Sequence, residues 1–479
     1  MKTHSQPNDP RTIVLFGIPF HDVSMDGTLA WIDRLIAERR PAYLVTANLD
    51  FAAQASDDVE LQRILVEAEL VLCDGTPLIW ASKLAGHPLR ERVAGSDLVP
   101  RLAAHAVEKG YRIFLLGGQA ESLEQAAKNL MASHPGLPPV QFYSPPFAPL
   151  HELDNATIVE RLAEAKPDIL LIAFGCPKQE KWIFMHYRAL GIPCCIGVGA
   201  TIDFLAGKVS RAPGIVGKLG LEWVYRMLQE PGRLAGRYWK DIKFLARQIV
   251  RERRTGRPAT EPPAAQAPVE AIEGLDTIRW SGHLSDSRAH DLPAPSMRTP
   301  FIIDLSTVSS VDNGGLGLMT RLIRRAWLAE CGGCFLAPPG IVRANLEAAK
   351  LDRILPLAST MQEAAKRARS EAAEAHLRPP VTEDGNVLLF QLPARITANN
   401  AEGCGLAIRE AWESRPEMRG MVLDVSDTVF IDSSGLGLLL KVRRMAGERE
   451  GGRFQLMNPH DNILNVINLA KVGGVLLGR

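Results

Sequence analysis

AELVLCDG, residues 68–75, decides the fold of the first half of the chain: an apolar run of strand length stops at Asp74-Gly75, and Thr76-Pro77 then opens a helical pattern. Five more runs of the same build surround it: TIVLFGI (12–18), AYLVTAN (42–48), RIFLLGG (112–118), DILLIAFG (168–175) and PCCIGVGA (193–200). Each ends in a polar or glycine-bearing turn, and helical patterns separate them. That alternation predicts an α/β fold, a Rossmann-like and mostly parallel sheet with helices on both faces. Ligands of such sheets sit outside the carboxyl ends of the strands, so the turns are where chemistry is sought.

Farther along, two stretches break the pattern. TGRPATEPPAAQAP, from Thr255 to Pro268, is rich in Pro and Ala and reads as a semi-stiff linker. LRPPVTEDG, 377–385, pairs a double proline with turn residues. Between and beyond them lies an internal repeat: FIIDLSTVSSVDNGGLGLMTRLIRRA from Phe301 aligns without gaps on MVLDVSDTVFIDSSGLGLLLKVRRMA from Met421. Asp304 matches Asp424, Asp312 matches Asp432 and Arg324 matches Arg444. Each unit reads as strand, Asp/Gly turn, amphipathic helix, strand and helix. The expected organisation is a first domain at 1–255 with a basic tail at 208–255, a linker at 256–268, a small α/β domain at 269–376, a linker at 377–385 and a second small α/β domain at 386–479.

The 479 residues are 46% apolar and 23% charged, a globular mix that excludes disorder throughout. No apolar run approaches the ~18–20 residues of a membrane-spanning helix, and the polar opening MKTHSQPNDPRT lacks the apolar stretch of a secretory signal. Seven scattered cysteines form no disulfide framework, and the lone Cys331-x-x-Cys334 has no partner pair at zinc-site spacing. A soluble, intracellular, multidomain protein is expected.

Read locally, the strand-end turns keep two meanings. Gly117-Gly118 opening a helix either brings backbone N–H groups to a phosphate or is a plain turn. Asp74 is either a general base at a strand end or, as its surroundings favour, the cap of the helix begun by Thr76-Pro77. No Asp-x-Asp occurs before Arg254, so a metal of the kind many sugar transferases hold in that motif is not expected, nor is any other cofactor.

TANLD, VLCDGTPLIW, RVAGSDL, FLLGG, GCPKQEKWI, GVGATIDFLAGKVSRAP and LGLEWVYRMLQEPGRLAGRY stand in the order found in the WecG/TagA/CpsF family of glycosyltransferases, which this chain resembles from about Thr12 to Arg251. The resemblance implies an inverting, metal-independent transfer of a sugar (of N-acetylmannosamine, N-acetylmannosaminuronic acid or glucose type) from a UDP donor to a polyprenyl-diphosphate-linked acceptor of surface polysaccharide synthesis. It turns the reading of Asp74 to catalytic base, assisted by Thr46 and Asn48. It places Arg92, Gly175, Lys178, Gln179 and Glu180 near substrates and Gly117-Gly118 at the donor nucleotide. Arg211, Arg226, Arg233 and Arg237 would meet the diphosphate.

From Lys208 to Arg254 twelve cations face four acids, which leaves this tail at +8 and the rest of the chain at −7. Aromatic and apolar residues interleave with the charges, a composition that suits an anionic membrane surface or a solvated helical face packed on the domain. No stacking platform or motif supports nucleic acid. In the resembled family this tail touches the membrane, which implies a cytoplasmic protein peripherally bound to the inner face of the cell membrane.

Both repeats resemble STAS domains, the fold of anti-sigma-factor antagonists. The second keeps Asp432-Ser433-Ser434-Gly435-Leu436-Gly437, which implies regulatory phosphorylation of Ser433 and a switch kinase or anti-sigma-type partner. The alternative is that Ser433 is only a helix cap. The first repeat has Asn313-Gly314 at that place and cannot be phosphorylated there. The rival to a STAS-regulated transferase is a signalling adaptor with an inactive first domain.

Overall fold

A computed structural model describes residues 10–209, 225, 232, 236, 239–248, 272–374, 378–397, 400–469 and 472–477. The linker expected at 256–268 lies outside them. In the first part the chain runs β1 (Thr12–Leu15), β2 (Ile18–His21), α1 (Met25–Glu38), β3 (Tyr43–Ala47), α2 (Leu49–Ala55), α3 (Val59–Glu67), β4 (Leu70–Cys73), α4 (Thr76–Leu84), α5 (Gly95–Lys109), β5 (Ile113–Leu116), α6 (Ala120–Ser133), β6 (Gln141–Tyr143), α7 (Asn155–Ala165), β7 (Ile169–Ile172), α8 (Lys178–Leu190), β8 (Cys194–Gly197) and α9 (Thr201–Leu205).

Six of these strands form one sheet in the order β4-β3-β8-β7-β5-β6, and every neighbouring pair in it is parallel. The apolar runs explain the burial: a parallel strand covered by helices on both faces has no solvent side to reserve for polar residues. Leu44, Leu72, Leu115, Leu171 and Ile196 from the strands pack against Ile32, Leu98, Leu102 and Leu123 from the helices in one core. TIVLFGI departs from the expectation. It opens an antiparallel hairpin of β1 and β2, outside the parallel sheet. Phe16 and Gly17 both take positive φ, 53° and 82°, and a two-residue turn of that kind returns the chain on itself.

The first repeat follows with β9 (Asp276–Leu284), β10 (Phe301–Val311), α10 (Asn313–Leu328), β11 (Gly333–Leu336), α11 (Gly340–Ala348), β12 (Leu357–Ala358) and α12 (Met361–Glu374). Its sheet is ordered β12-β11-β10-β9. The second repeat has β13 (Val381–Asp384), β14 (Val387–Gln391), β15 (Arg395–Ile396), α13 (Ala401–Glu413), β16 (Gly420–Asp424), β17 (Phe430–Ile431), α14 (Ser433–Gly447), β18 (Arg453–Met457), α15 (Asp461–Leu469) and α16 (Gly473–Leu476). Its main sheet is β13-β14-β16-β18, with β14, β16 and β18 parallel and β13 antiparallel at the edge. The stretch 377–385, expected as a linker, therefore contains a strand. The Glu-Asp-Gly turn signal there closes the β13–β14 hairpin, with Gly385 at φ 59°.

The aligned aspartates repeat their roles. Asp304 Oδ1 accepts from Ser306 N and Asp424 Oδ1 from Ser426 N, both at 2.9 Å. Asp312 Oδ1 accepts from Gly315 N at 2.8 Å and Asp432 Oδ1 from Gly435 N at 3.0 Å, so each begins its helix. Residues through Ala326 together with Cys334–Ala365 form one compact unit, which joins the six-stranded sheet to most of the first repeat. Trp327–Gly333 and the residues from Lys366 onward form the other.

Candidate active site at the carboxyl ends of the sheet

Asp74 leaves the sheet at the end of β4. Its backbone N–H donates to Ala47 O on β3 at 2.9 Å, which carries the ladder one residue past the strand and fixes where the carboxylate emerges. The cap position of α4 is held by Gly75, with Pro77 in the first turn, so the local reading of Asp74 as that cap is corrected. The cap signal was shifted by one residue because Asp-Gly and Thr-Pro both qualify as helix openers. The carboxylate is 29% exposed, and Arg92 Nη1 stands 3.8 Å from its Oδ1. Arg92 Nη2 also pairs with Asp97 on the first turn of α5 at 2.6 Å, so this guanidinium is oriented from two sides.

Asn48 borders the same turn: a Cβ built on Gly75 would lie 3.8 Å from the Asn48 Cβ. It caps α2, with Oδ1 accepting from Asp50 N at 3.0 Å and Phe51 N at 3.3 Å. The carbonyl half of its amide thus serves the helix, and its NH2 is the half suited to donate to a ligand. Thr46 Oγ1 donates to Gly197 O on β8 at 3.3 Å. At the start of α5, a Cβ on Gly95 would lie 3.2 Å from Thr201 Oγ1 and 3.5 Å from Thr46 Oγ1. Two hydroxyls therefore converge on the N-terminus of a helix whose cap residue, Ala94, has no side-chain acceptor.

Gln179 and Glu180 face inward from the first turn of α8. Gln179 Oε1 accepts from Gly175 N at 3.1 Å, and its Nε2 donates to Glu180 Oε1 at 2.7 Å. Both lie against Gly197, where a Cβ would come within 2.6 and 2.7 Å of them, so a larger residue there would have to displace these two side chains. Burial pushes the Glu180 carboxyl up to about 7, against the hydrogen bonds from Gln179 and Cys176 that lower it. These residues brace the β7 and β8 turns. Lys178 points elsewhere: its Nζ donates to Ala148 O and lies 5.3 Å over the Phe147 ring and 5.2 Å over Phe174. The structure does not bring it to Asp74, and desolvation lowers its pKa.

Gly117 and Gly118 end β5 with φ of 89° and 81°, and a Cβ on Gly117 would collide with the Phe174 ring at 2.5 Å. The following helix α6 has no side-chain cap, so its first N–H groups suit an anion. Three strands lie between β4 and β5, which at ~4.8 Å per spacing puts this turn about 19 Å along the sheet edge from Asp74. The edge can lay out an extended ligand, with an anionic group over helix ends and a hydroxyl near Asp74. Asp97 and Thr201 belong to this constellation and were not singled out from the sequence. Their signal was present in RVAGSDL and GVGATIDF. Among the described residues no group of three or more His, Cys, Asp and Glu gathers at metal-binding distance.

Arg211, Arg226, Arg233 and Arg237 lie outside the described residues. Of the tail, residues 239–248 are helical. Trp239 is 59% and Ile242 43% exposed, with Lys243 Nζ 5.1 Å over the Trp239 ring. Phe244 turns the other way and meets Phe16 edge-on at 5.9 Å. No helix among the described residues is long and apolar enough to cross a membrane.

In the second repeat the cap of α14 is Asp432, whose side chain accepts from Ser434 N and Gly435 N. The local reading of Ser433 as the cap is corrected. Ser433 is the first helical residue and half-buried, while Ser434 is buried and its Oγ has no hydrogen-bond partner among the described residues.

Comparison with known proteins agrees with these two kinds of unit. The STAS domain model matches residues 242–364 and 378–476. The phosphorylated form of a Bacillus cell-fate determinant, SpoIIAA, is 21% identical and covers 21% of this chain and 88% of its own, with a TM-score of 0.18. The N-acetylglucosaminyldiphosphoundecaprenol N-acetyl-beta-D-mannosaminyltransferase of Bacillus spizizenii is 28% identical over 225 residues, 46% of this chain and 84% of the relative. The enzyme of the same name from Staphylococcus aureus (strain MW2) is 28% identical over 257 residues, 53% of this chain and 97% of the relative. The model of the glycosyl transferase WecG/TagA/CpsF family matches residues 13–259, more than half of the chain, and the chain belongs to that family.

Proposed function

We propose that this glycosyltransferase moves a sugar from a UDP donor to a polyprenyl-diphosphate-linked glycan at the membrane, in surface polysaccharide synthesis. The observation that carries the reading is Asp74 at the open end of β4, with Arg92 3.8 Å away and Asn48 beside the same turn. Asp74 takes the proton from an acceptor hydroxyl, that oxygen attacks the anomeric carbon, and the bond to the UDP oxygen breaks with inversion. Negative charge builds on the leaving diphosphate and needs fixed positive partners. The uncapped start of α6 and the tail residues Arg211, Arg226, Arg233 and Arg237 would supply them without a metal.

The relatives' names support an N-acetylmannosaminyl donor and an N-acetylglucosaminyl-diphospho-undecaprenol acceptor. Such an acceptor stays in the bilayer, and the exposed Trp239 and Ile242 beside Lys240, Lys243 and Arg247 suit an anionic surface. A cytoplasmic enzyme held peripherally at the membrane follows, with phosphorylation of Ser433 by a partner kinase changing what the second STAS domain binds.

Asp74→Asn tests the base. Removal of a general base lowers turnover by about 10²–10⁴-fold, whereas UDP-sugar binding by calorimetry should stay within a few-fold. Full turnover in the variant would remove Asp74 from the chemistry.

A further inference from the structure

In the first repeat one face of α10, formed by Gly317, Thr320, Arg321 and Arg324, is used against the transferase domain. A Cβ on Gly317 would run into the carbonyl oxygen of Thr12 on β1, and Thr320 is only 1% exposed. Arg321 Nη1 donates to Pro10 O at 3.2 Å. Arg324 Nε donates to Glu67 O at 3.0 Å, and its Nη2 pairs with Glu69 Oε2. Glu69 in turn accepts from Trp31 Nε1 at 2.8 Å and from both terminal nitrogens of Arg40 at 2.9 and 2.7 Å. A second tie lies at α11: Gln62 Nε2 donates to Ala349 O at 3.0 Å, and Arg353 Nη2 donates to Gln62 Oε1 at 3.1 Å. A third joins His87 Nε2 to Asp312 Oδ2 at 3.8 Å.

These ties bracket the candidate active site. Glu67 and Glu69 immediately precede β4, whose far end presents Asp74. His87 lies on the α4–α5 connection that carries Arg92 to that carboxylate. The same repeat has Asn313 where the second has Ser433, so that place carries no hydroxyl. A Cβ on Gly314, which stands where the second repeat has Ser434, would lie 3.0 Å from both the N and the Cβ of Asp286.

We propose that the first STAS-like domain is a positioning module of the transferase, in which Arg324 anchors the start of β4 and so holds Asp74 and Arg92 in register. The catalytic half of this proposal rests on the reading of Asp74 as base; the anchoring half stands without it. Arg324 acts through β4 and is a positioning residue.

The test compares the full-length chain with its Arg324→Glu, Arg324→Gln and Arg324→Lys variants. Amide exchange is followed over 12–21 and 67–73. Turnover is measured with UDP-N-acetylmannosamine and undecaprenyl-diphosphate N-acetylglucosamine as probes. In Arg324→Glu and, more mildly, Arg324→Gln, exchange in both segments should quicken about tenfold or more. The kcat should fall about tenfold or more with the donor KM within about twofold, and Arg324→Lys should restore most of both. Unaltered exchange in the Glu and Gln variants would overturn the anchor. Quickened exchange with unchanged kcat would overturn the positioning role. A wild-type chain without turnover would bring down the transferase reading and the catalytic half with it, while the exchange result still decides the anchor.

Discussion

The two STAS-like repeats are built alike and put to different use. Asp312 and Asp432 start equivalent helices, and Gly315 and Gly435 let those helices press on the backbone of the preceding strand pair, at Leu284 and Ile396. The next turns diverge. Arg324 is 14% exposed and pairs with the buried Glu69, whereas its counterpart Arg444 is 76% exposed and pairs with Glu448 one turn on. Ser433-Ser434 of the second copy are replaced by Asn313-Gly314 in the first. One duplicated framework therefore carries a buried arginine in one copy and an exposed one in the other, and the framework residues do not distinguish them.

The comparison can be broken most directly at the aligned arginines. Arg324→Ala leaves Glu69 with Arg40 and Trp31 but removes a charge-assisted bond, and should cost about 1.5–3 kcal/mol of unfolding free energy in the first unit. Arg444→Ala removes a surface pair and should cost no more than about 0.5 kcal/mol in the second. Equal losses by calorimetry would erase the distinction. Next come the shared glycines: Gly315→Ala and Gly435→Ala force a methyl against a carbonyl oxygen, and each should lose about 1–3 kcal/mol. A clear difference between the two would mean that the helix starts are less alike than their contacts indicate.

The smallest effect expected is in pH dependence. Burial raises the Glu69 carboxyl, yet Arg324 and Arg40 outweigh it and hold the group at about 2, below the ordinary 4.5. Burial and then Arg324 push His21 from 6.5 to about 3. For both groups the unfolded chain takes the proton first, so stability is lost as pH falls, from 6.5 to 3 for His21 and from 4.5 to 2 for Glu69. Glu180, raised by burial from 4.5 to about 7, runs opposite: its contribution is full below 4.5 and lost as pH rises to 7. His21 and Glu180 roughly offset each other between 4.5 and 6.5, so the net loss of the first unit sets in below about pH 4.5. Among the described residues of the second unit, the shifted groups are Cys404, raised by burial to about 11, and Lys441, lowered by burial from 10.5; neither is a carboxyl or a histidine. Thermal unfolding at pH 7 and pH 4 should therefore lower the first transition more than the second, and Glu69→Gln should flatten the difference.

The parallel sheet and the duplication were legible because each rests on a pattern that one strand or one helix carries in full. Asp74, Asn48 and Thr46 were legible as strand-end residues for the same reason. The exact job of a turn residue was not: Asp74-Gly75 and Asp432-Ser433 each offer two consecutive caps, and only backbone geometry chooses between them. TIVLFGI looked like its neighbours, since a buried hairpin strand and a buried parallel strand ask for the same residues. Arg324 was hidden for a related reason. Its sequence surroundings match those of Arg444, and burial comes from Glu67 and Glu69, more than 250 positions away.

The contact between α10 and the β1–β2 hairpin has a consequence for dilution. Both surfaces belong to one polypeptide, so each meets the other at an effective concentration that for flexible tethers is on the order of millimolar, whatever the abundance of the protein in the cell. An association too feeble to join two separate molecules would still remain closed here, and a change in expression level could not open it.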